Sequence, residues 1–344
     1  MKSSRRRFKA LVAPLLGAAL AISLAACGSS TQGSTGDNGG EKTVVFVPFK
    51  VGNAYFDAVD AGIKTAAKEY GWNYSMKGST AGTPAGQVEV IKSLIQQRPD
   101  ALIIDPGDAS SLNPVIKQAR DAGIVVVTTD QDAPDSARQA FVQPAGSDAI
   151  ADQVLDLTME QAGAEGEVAL VLGFKTVSQY VAWDNRIKDQ IKAKYPNAKI
   201  VYTDYAVGAD SAAATAMAKS VMSKYPNLKA FMTVNGSAVA PAVSQAITDQ
   251  NKIGKVLNFA VSTPNQMKPY VESGAANGIV LWDTNQLGFL SGWAAEQLMT
   301  GKTFSSQNSA GPDLPAVAYD DQAKTLLLGP PLVITKDSID QYDF

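Results

Sequence analysis

An α/β fold, built as two doubly wound lobes of parallel sheet, is what this sequence predicts. Three observations lead there. Short β-branched runs alternate with longer amphipathic ones from Thr43 onward, the alternation restarts near residue 147, and polar and aromatic residues gather just after the strand runs. Beyond an N-terminal leader and tether about 300 residues remain, enough for two domains in one chain.

The first strand is 43–47, Thr-Val-Val-Phe-Val. Its helix sets Phe56, Val59, Ile63, Ala66, Ala67 and Tyr70 three and four apart on one face, and Gly71 ends it. Strand 72–76, helix 84–97 opening on Pro84, strand 101–104, helix 112–122 closing at Gly123 and strand 124–128 continue the pattern. Strands apolar throughout, such as Ala101-Leu102-Ile103-Ile104, are buried on both faces.

A second set follows: helix 147–162, strand 167–172, helix 179–194, strand 199–203, helix 210–224, strand 229–233, helix 237–250, strand 255–261 and helix 265–273. Lys194-Tyr195-Pro196-Asn197 recurs as Lys224-Tyr225-Pro226-Asn227, each time between a helix and a strand. The proline stops the helix and the aromatic packs beneath it. Strand 278–282, helix 286–300, a Gly/Pro/Ser-rich stretch over 301–315 and a hairpin-like region over 317–335 close the chain. This late return of mixed elements points to a chain that revisits its first lobe.

Ahead of the fold, Lys2, Arg5, Arg6, Arg7 and Lys9 precede an apolar run that ends in Leu24-Ala25-Ala26-Cys27. That is the layout of an export signal, residues 1–26, cleaved before a cysteine that takes a lipid; residues 27–41 form a flexible tether. Ser4-Arg5-Arg6-Arg7-Phe8 also resembles a twin-arginine signal. Cys27 is the only cysteine, so it has no disulfide partner, and a Gly/Ser tether has no core in which to bury it. The expected location is outside the cytoplasm, anchored to the cell membrane.

Removing the five cations of the leader leaves 25 Lys and Arg against 33 Asp and Glu, a net charge near −8. A surface of that sign does not suit nucleic acid. The sequence contains no histidine, which removes Ser-His-Asp and Cys-His nucleophile systems and the His-Glu-x-x-His zinc site. Gly-x-Ser-x-Gly and a Gly-x-Gly-x-x-Gly turn after the first strand are also missing. No catalytic residue, cofactor or metal is expected, although Asp105 with Asp130 would be the acid and base if the chain were an exported carbohydrate-active enzyme.

In open α/β sheets the ligand sits beyond the carboxyl ends of the strands. Those positions carry Phe49, Lys50, Asn53, Tyr55 and Phe56 after the first strand, Asp105 after the third, and Asp130, Gln131 and Asp132 after the fourth. In the second half they carry Gln179, Tyr180 and Trp183, then Asn235, Ser262, and Trp282 with Asp283. Flat rings pack on the apolar faces of a sugar, and carboxylates and amides meet its hydroxyls. Each residue has a plainer alternative. Tyr55 and Phe56 sit at a helix start where core packing is open to them, Asn53 and Ser262 suit helix caps, and Lys50 suits solvent. Asp130 stands out, because an acid directly after an all-apolar strand needs a partner.

Over about residues 42–344 the chain resembles the periplasmic sugar-binding proteins of the ribose-binding, type I class. Asn53-Ala54-Tyr55-Phe56 is similar to that family's Asn-Pro-Phe-Phe element, Asp130 to its strand-end aspartate and Asn235 to its strand-end asparagine. Ser262-Thr263-Pro264-Asn265 with Met267, Pro269-Tyr270-Val271-Glu272, Leu281-Trp282-Asp283 and the ending Tyr342-Asp343-Phe344 resemble the rhamnose and autoinducer-2 branch. The ribose branch has arginine where Gln131 stands and a later aspartate where Ser262 stands.

The resemblance implies an N-terminal lobe over 42–132 plus 286–328 and a C-terminal lobe over 133–285 plus 329–344. Three hinge crossings, near 130–145, 283–286 and 328–332, would join them. It further implies a monomeric receptor that binds a deoxyhexose or pentose such as rhamnose between its lobes and delivers it to an ABC permease. Receptors for autoinducer-2, or for a sugar read by a signalling partner, are the alternatives within the family.

Overall fold

Runs of β-branched residues build the first sheet. The computed structural model describes residues 41–173, 175, 178–205, 210–235 and 238–344. β1 (Thr43–Val47) leads into α1 (Ala54–Tyr70), which Asn53 caps at its start and Gly71, at φ +69°, ends. β2 (Asn73–Met76), α2 (Pro84–Gln97), β3 (Ala101–Ile104), α3 (Ala109–Asp121), β4 (Val125–Thr129) and β5 (Ala140–Gln143) follow. β3 and β4 are buried along their whole length, as continuous apolar strands of a covered parallel sheet must be.

The second sheet grows from α4 (Ser147–Ala162), β6 (Gly166–Leu172), α5 (Ser178–Lys194), β7 (Ala198–Asp204), α6 (Ser211–Lys224), β8 (Leu228–Val234), α7 (Val239–Asp249), β9 (Leu257–Ala260), α8 (Pro264–Ser273) and β10 (Gly278–Leu281). α5 and α6 both stop at the repeated Tyr-Pro-Asn connector, whose Tyr195 and Tyr225 pack against separate hydrophobic clusters. α9 (Thr284–Met299) then returns to lie on α1 and on β3 to β5. The two helices approach closely enough that a Cβ at Gly62 would lie 1.9 Å from the Asn285 carbonyl oxygen. β11 (Gln307–Asn308), β12 (Val317–Asp320), β13 (Thr325–Leu327) and β14 (Leu332–Ile334) finish the strands.

The first sheet runs β11-β12-β13-β5-β4-β3-β1-β2 and the second β14-β10-β9-β8-β6-β7. All pairings from β1 to β10 are parallel, while β11, β12 and β14 pair antiparallel at the edges. The chain passes between the sheets three times: after Gln143, between Leu281 and Thr284, and between Leu327 and Leu332. The expected division after residue 132 differs from this pairing, because β5 hydrogen-bonds to β4 and β13 and so belongs with the first sheet. β5 has only four residues and no local signal beyond Phe141-Val142; its place comes from Thr325–Leu327, nearly two hundred positions later in the chain. The leader, the tether and Cys27 lie outside the described residues.

Candidate functional site

Strand ends from both sheets converge on a cavity of about 180 Å³. From the first sheet it is lined by Asn53, Tyr55 and Phe56 at the start of α1 and by Asp130 and Gln131 after β4. From the second half come Gln179, Tyr180 and Trp183 on α5, Asn235 after β8, Ser262 after β9 and Trp282 after β10. Its size falls below the roughly 300–1,000 Å³ of pockets for drug-sized ligands. The space suits one small ring or polyol.

Tyr55 is the centre of its polar wall. Its hydroxyl donates to Oδ1 of Asp130 at 2.6 Å and accepts from Trp282 Nε1 at 2.9 Å. Local structure sets this up: Oδ1 of Asn53 accepts from the Tyr55 amide at 2.9 Å, so the cap that starts α1 also aims the tyrosine. Asn53 thus caps α1 and also lines the cavity. Tyr55 meets Phe56 and Trp282 edge to face, with centroids 5.3 and 6.1 Å apart.

Asp130 occupies the left-handed backbone region at φ +64°, which aspartate tolerates better than most residues. Its amide donates to the Val142 carbonyl on β5 at 3.2 Å. Two residues on, Asp132 receives Arg138 through Nε at 2.5 Å and Nη2 at 2.7 Å, and Arg138 also donates to the carbonyls of Ala323 and Lys324. This bidentate pair pins the loop behind the cavity to the β12–β13 turn. Across the cavity, Gln131 Nε2 donates to Gln179 Oε1 at 2.7 Å. Tyr180 and Trp183 pack edge to face, 5.7 Å between centroids. The Tyr180 ring lies over Gly173, where a Cβ would come 2.1 Å from its Cε2.

Four expected site residues do not line the cavity. Lys50 is exposed, its stem lying along Gly82, as the solvated alternative had it. The Phe49 ring packs on Gly107. Asp283 caps α9, accepting from the Gln286 amide at 2.9 Å. Asp105 is 2 % exposed and accepts from the Phe49 amide at 3.4 Å. Conversely Val234, Val261, Thr263, Gln266 and Leu281 line the cavity without having been singled out by chemistry. Gln266 had a signal, since Thr263-x-x-Gln266 has the capping-box spacing. Here the Gln266 Oε1 accepts instead from the hydroxyls of Thr263 at 3.2 Å and Ser262 at 3.4 Å.

Burial, and next the charge of Asp130, push the Asp105 carboxyl well above the usual carboxylate range, against the amides of Phe49 and Gln131. Burial also pushes Asp130 up to about 6, with hydrogen bonds from Tyr55 and Gln131 opposing. Tyr55 is raised by burial and then by Asp130, and Tyr180 goes up to about 12 for the same two reasons. At neutral pH the tyrosines are donors and Asp130 is an acceptor.

A family model for the periplasmic binding protein domain matches residues 44–303. The chain belongs to the periplasmic binding protein family. Among curated relatives it is 26 % identical to a D-ribose/D-allose-binding protein of Pseudomonas aeruginosa, over 67 % of this chain and 74 % of that protein. It is 29 % identical to a xylitol-binding protein of Mycolicibacterium smegmatis, over 69 % of this chain and 65 % of that one. Among solved structures, an ABC transporter solute binding protein from Clostridium phytofermentas with bound L-rhamnose superposes with a TM-score of 0.77 at 21 % identity, covering 88 % and 98 % of the two chains. At that identity the likeness shows the fold.

The type I sugar-binding resemblance read from Asn53-Ala54-Tyr55-Phe56, Asp130 and Asn235 thus holds at the level of family. Periplasmic binding proteins are extracytoplasmic substrate-binding proteins, and the D-ribose/D-allose-binding relative is named for sugars. No helix among the described residues is long and apolar enough to cross a membrane.

Proposed function

We propose that this periplasmic binding protein is a lipid-anchored receptor that binds one small sugar, a deoxyhexose or pentose such as rhamnose, and delivers it to an ABC permease. One observation carries this reading: Asp130, Tyr55 and Trp282, drawn from the start of α1 and the ends of β4 and β10, form a continuous hydrogen-bond chain in the wall of a small cavity that also presents the rings of Phe56, Tyr180 and Trp183. Stacked rings and a charge-assisted acceptor are what a ring with apolar faces and several hydroxyls needs. Relatives that bind ribose or allose and xylitol belong to the same ligand class. The three passages between the sheets act as a hinge, and ligand contacts from both lobes favour the shut form by their differential affinity.

A hydrolytic reading needs two carboxylates at the cavity wall, and Asp105 is not there. Titration calorimetry against L-rhamnose, L-fucose, D-ribose, D-arabinose and xylitol is expected to find a dissociation constant in the micromolar range or tighter, with the ligand recovered unchanged. Binding no tighter than millimolar across that panel, or turnover of the sugar, overturns the proposal. For the anchor, Cys27→Ala is expected to release the protein from the membrane fraction and to abolish palmitate labelling.

A further inference from the structure

The buried and half-buried carboxylates of this protein are not treated alike. Asp60 and Asp184, 4 % and 5 % exposed, each pair with a lysine one helical turn on, Lys64 and Lys188, at 2.5 and 2.7 Å. Asp132 has Arg138. Asp105 and Asp130, the two acids at the cavity end of the first sheet, form no ion pair among the described residues. Oδ1 of Asp105 is buried with no hydrogen-bond partner at all. Among the described residues the cavity lining contains neither lysine nor arginine, and Lys50, in the loop after β1, is exposed along Gly82.

An uncompensated carboxylate in a partly dry site is unfavourable until something positive or strongly donating arrives. Here the walls that would surround such a group are Tyr55, Phe56, Tyr180, Trp183 and Trp282. Ring faces attract a cation through their quadrupole, and more so once it is desolvated. A neutral hydroxyl can satisfy one carboxylate lone pair but leaves the charge in place. An ammonium does both, and an anionic substituent would meet Asp130 with no cation to offset it. The raised carboxyls of Asp105 and Asp130 report the same imbalance.

We propose that the cavity selects its polyhydroxylated ligand by charge: it holds an amine-bearing sugar or polyol more tightly than the neutral parent and rejects the carboxylate-bearing analogue. This rests on the sugar-binding reading above and goes beyond it by naming what distinguishes ligands of similar shape.

The test is calorimetry at pH 7.5 and 0.15 M salt on matched sets: D-glucose, D-glucosamine and D-glucuronate; D-galactose, D-galactosamine and D-galacturonate; xylitol, 1-amino-1-deoxyxylitol and xylonate. In at least one set the amine is expected to bind tenfold or more tightly than its parent, the anion to bind at least tenfold more weakly than the parent, and added salt to weaken the amine selectively. Asp130→Asn is expected to shrink the amine-to-parent ratio; if that variant fails to fold or binds neither ligand, the wild-type ratio decides alone. If a neutral sugar of any set or of the earlier panel binds and no amine binds more tightly than its own parent, charge selection is wrong and the sugar-binding reading stands. If no sugar, polyol or amine binds, both fall.

Discussion

The Tyr55 hydroxyl stands 2.6 Å from Oδ1 of Asp130 and 2.9 Å from the indole nitrogen of Trp282, so one phenol links the start of α1 to the ends of β4 and β10. β4 belongs to the first sheet and β10 to the second. The contact is at once part of the cavity wall and a tie between the two halves.

Tyr55→Phe removes the oxygen and leaves both the Asp130 carboxylate and the Trp282 N–H short of a partner. A lost hydrogen bond to a charged group in a buried setting costs about 1.5–3 kcal/mol. A ten- to hundredfold weaker dissociation constant follows at about 1.4 kcal/mol per tenfold. Calorimetry together with a melting curve checks this; unchanged affinity would remove Tyr55 from the binding wall.

Asp130, raised to about 6 in the fold, sets a pH dependence whose sign is fixed. The unfolded carboxyl titrates near 3.9. The favourable contribution of the protonated form is therefore fully present below that value and is lost as pH rises through about 6. Unliganded wild type should lose stability relative to Asp130→Asn across this window, by about 1–3 kcal/mol. Ligand hydroxyls favour the ionised form, so affinity should climb through the same window with release of a proton. Titrations in two buffers of different ionisation enthalpy measure that proton, and Asp130→Asn should show none.

Gly173→Ala places a methyl where the Tyr180 ring lies, 2.1 Å from Cε2. The ring has to swing, disturbing its edge contact with Trp183. A loss of affinity of about tenfold with a small change in melting temperature is expected, since one ring displaced from a ligand costs on the order of 1 kcal/mol. Tyr180→Ala should be no worse in combination with Gly173→Ala than alone.

Arg138→Met strands the half-buried Asp132 and frees the β12–β13 turn. This pair is buried on its arginine side only, so breaking it should cost less than the ~3–5 kcal/mol of a fully buried pair, and Arg138→Met with Asp132→Leu should recover much of it. Chemical denaturation of the three variants measures the difference; equal stability of the single and double variants would contradict the pairing.

Most of the cavity could be found from the chain alone because the rule that locates it is local. Asn53, Tyr55, Phe56, Asp130, Asn235 and Ser262 each follow or adjoin an apolar strand, and strand ends of a parallel sheet all face one way. Asp105, Asp132 and Asp283 obey the same rule and yet serve a loop amide, a buried arginine and a helix cap. Nothing within a few residues of an aspartate says which of these partners will reach it. Gln266 was overlooked for the converse reason, since capping-box spacing reads as helix bookkeeping until the side chain is seen turned to the Thr263 and Ser262 hydroxyls.

Alternation of strand and helix, the stops at Gly71 and at the Tyr-Pro-Asn connectors, and the absence of histidine chemistry belong to the sequence by itself, because periodicity, caps and composition act over a few residues. Tertiary structure alone decided that β5 joins the first sheet, that Asp132 is taken by Arg138, and that Asp130, but not Asp105, lines a cavity with no lysine or arginine among its described residues. Each of these depends on groups brought together from distant parts of the chain, and the free energy of a charge depends on what the fold sets beside it.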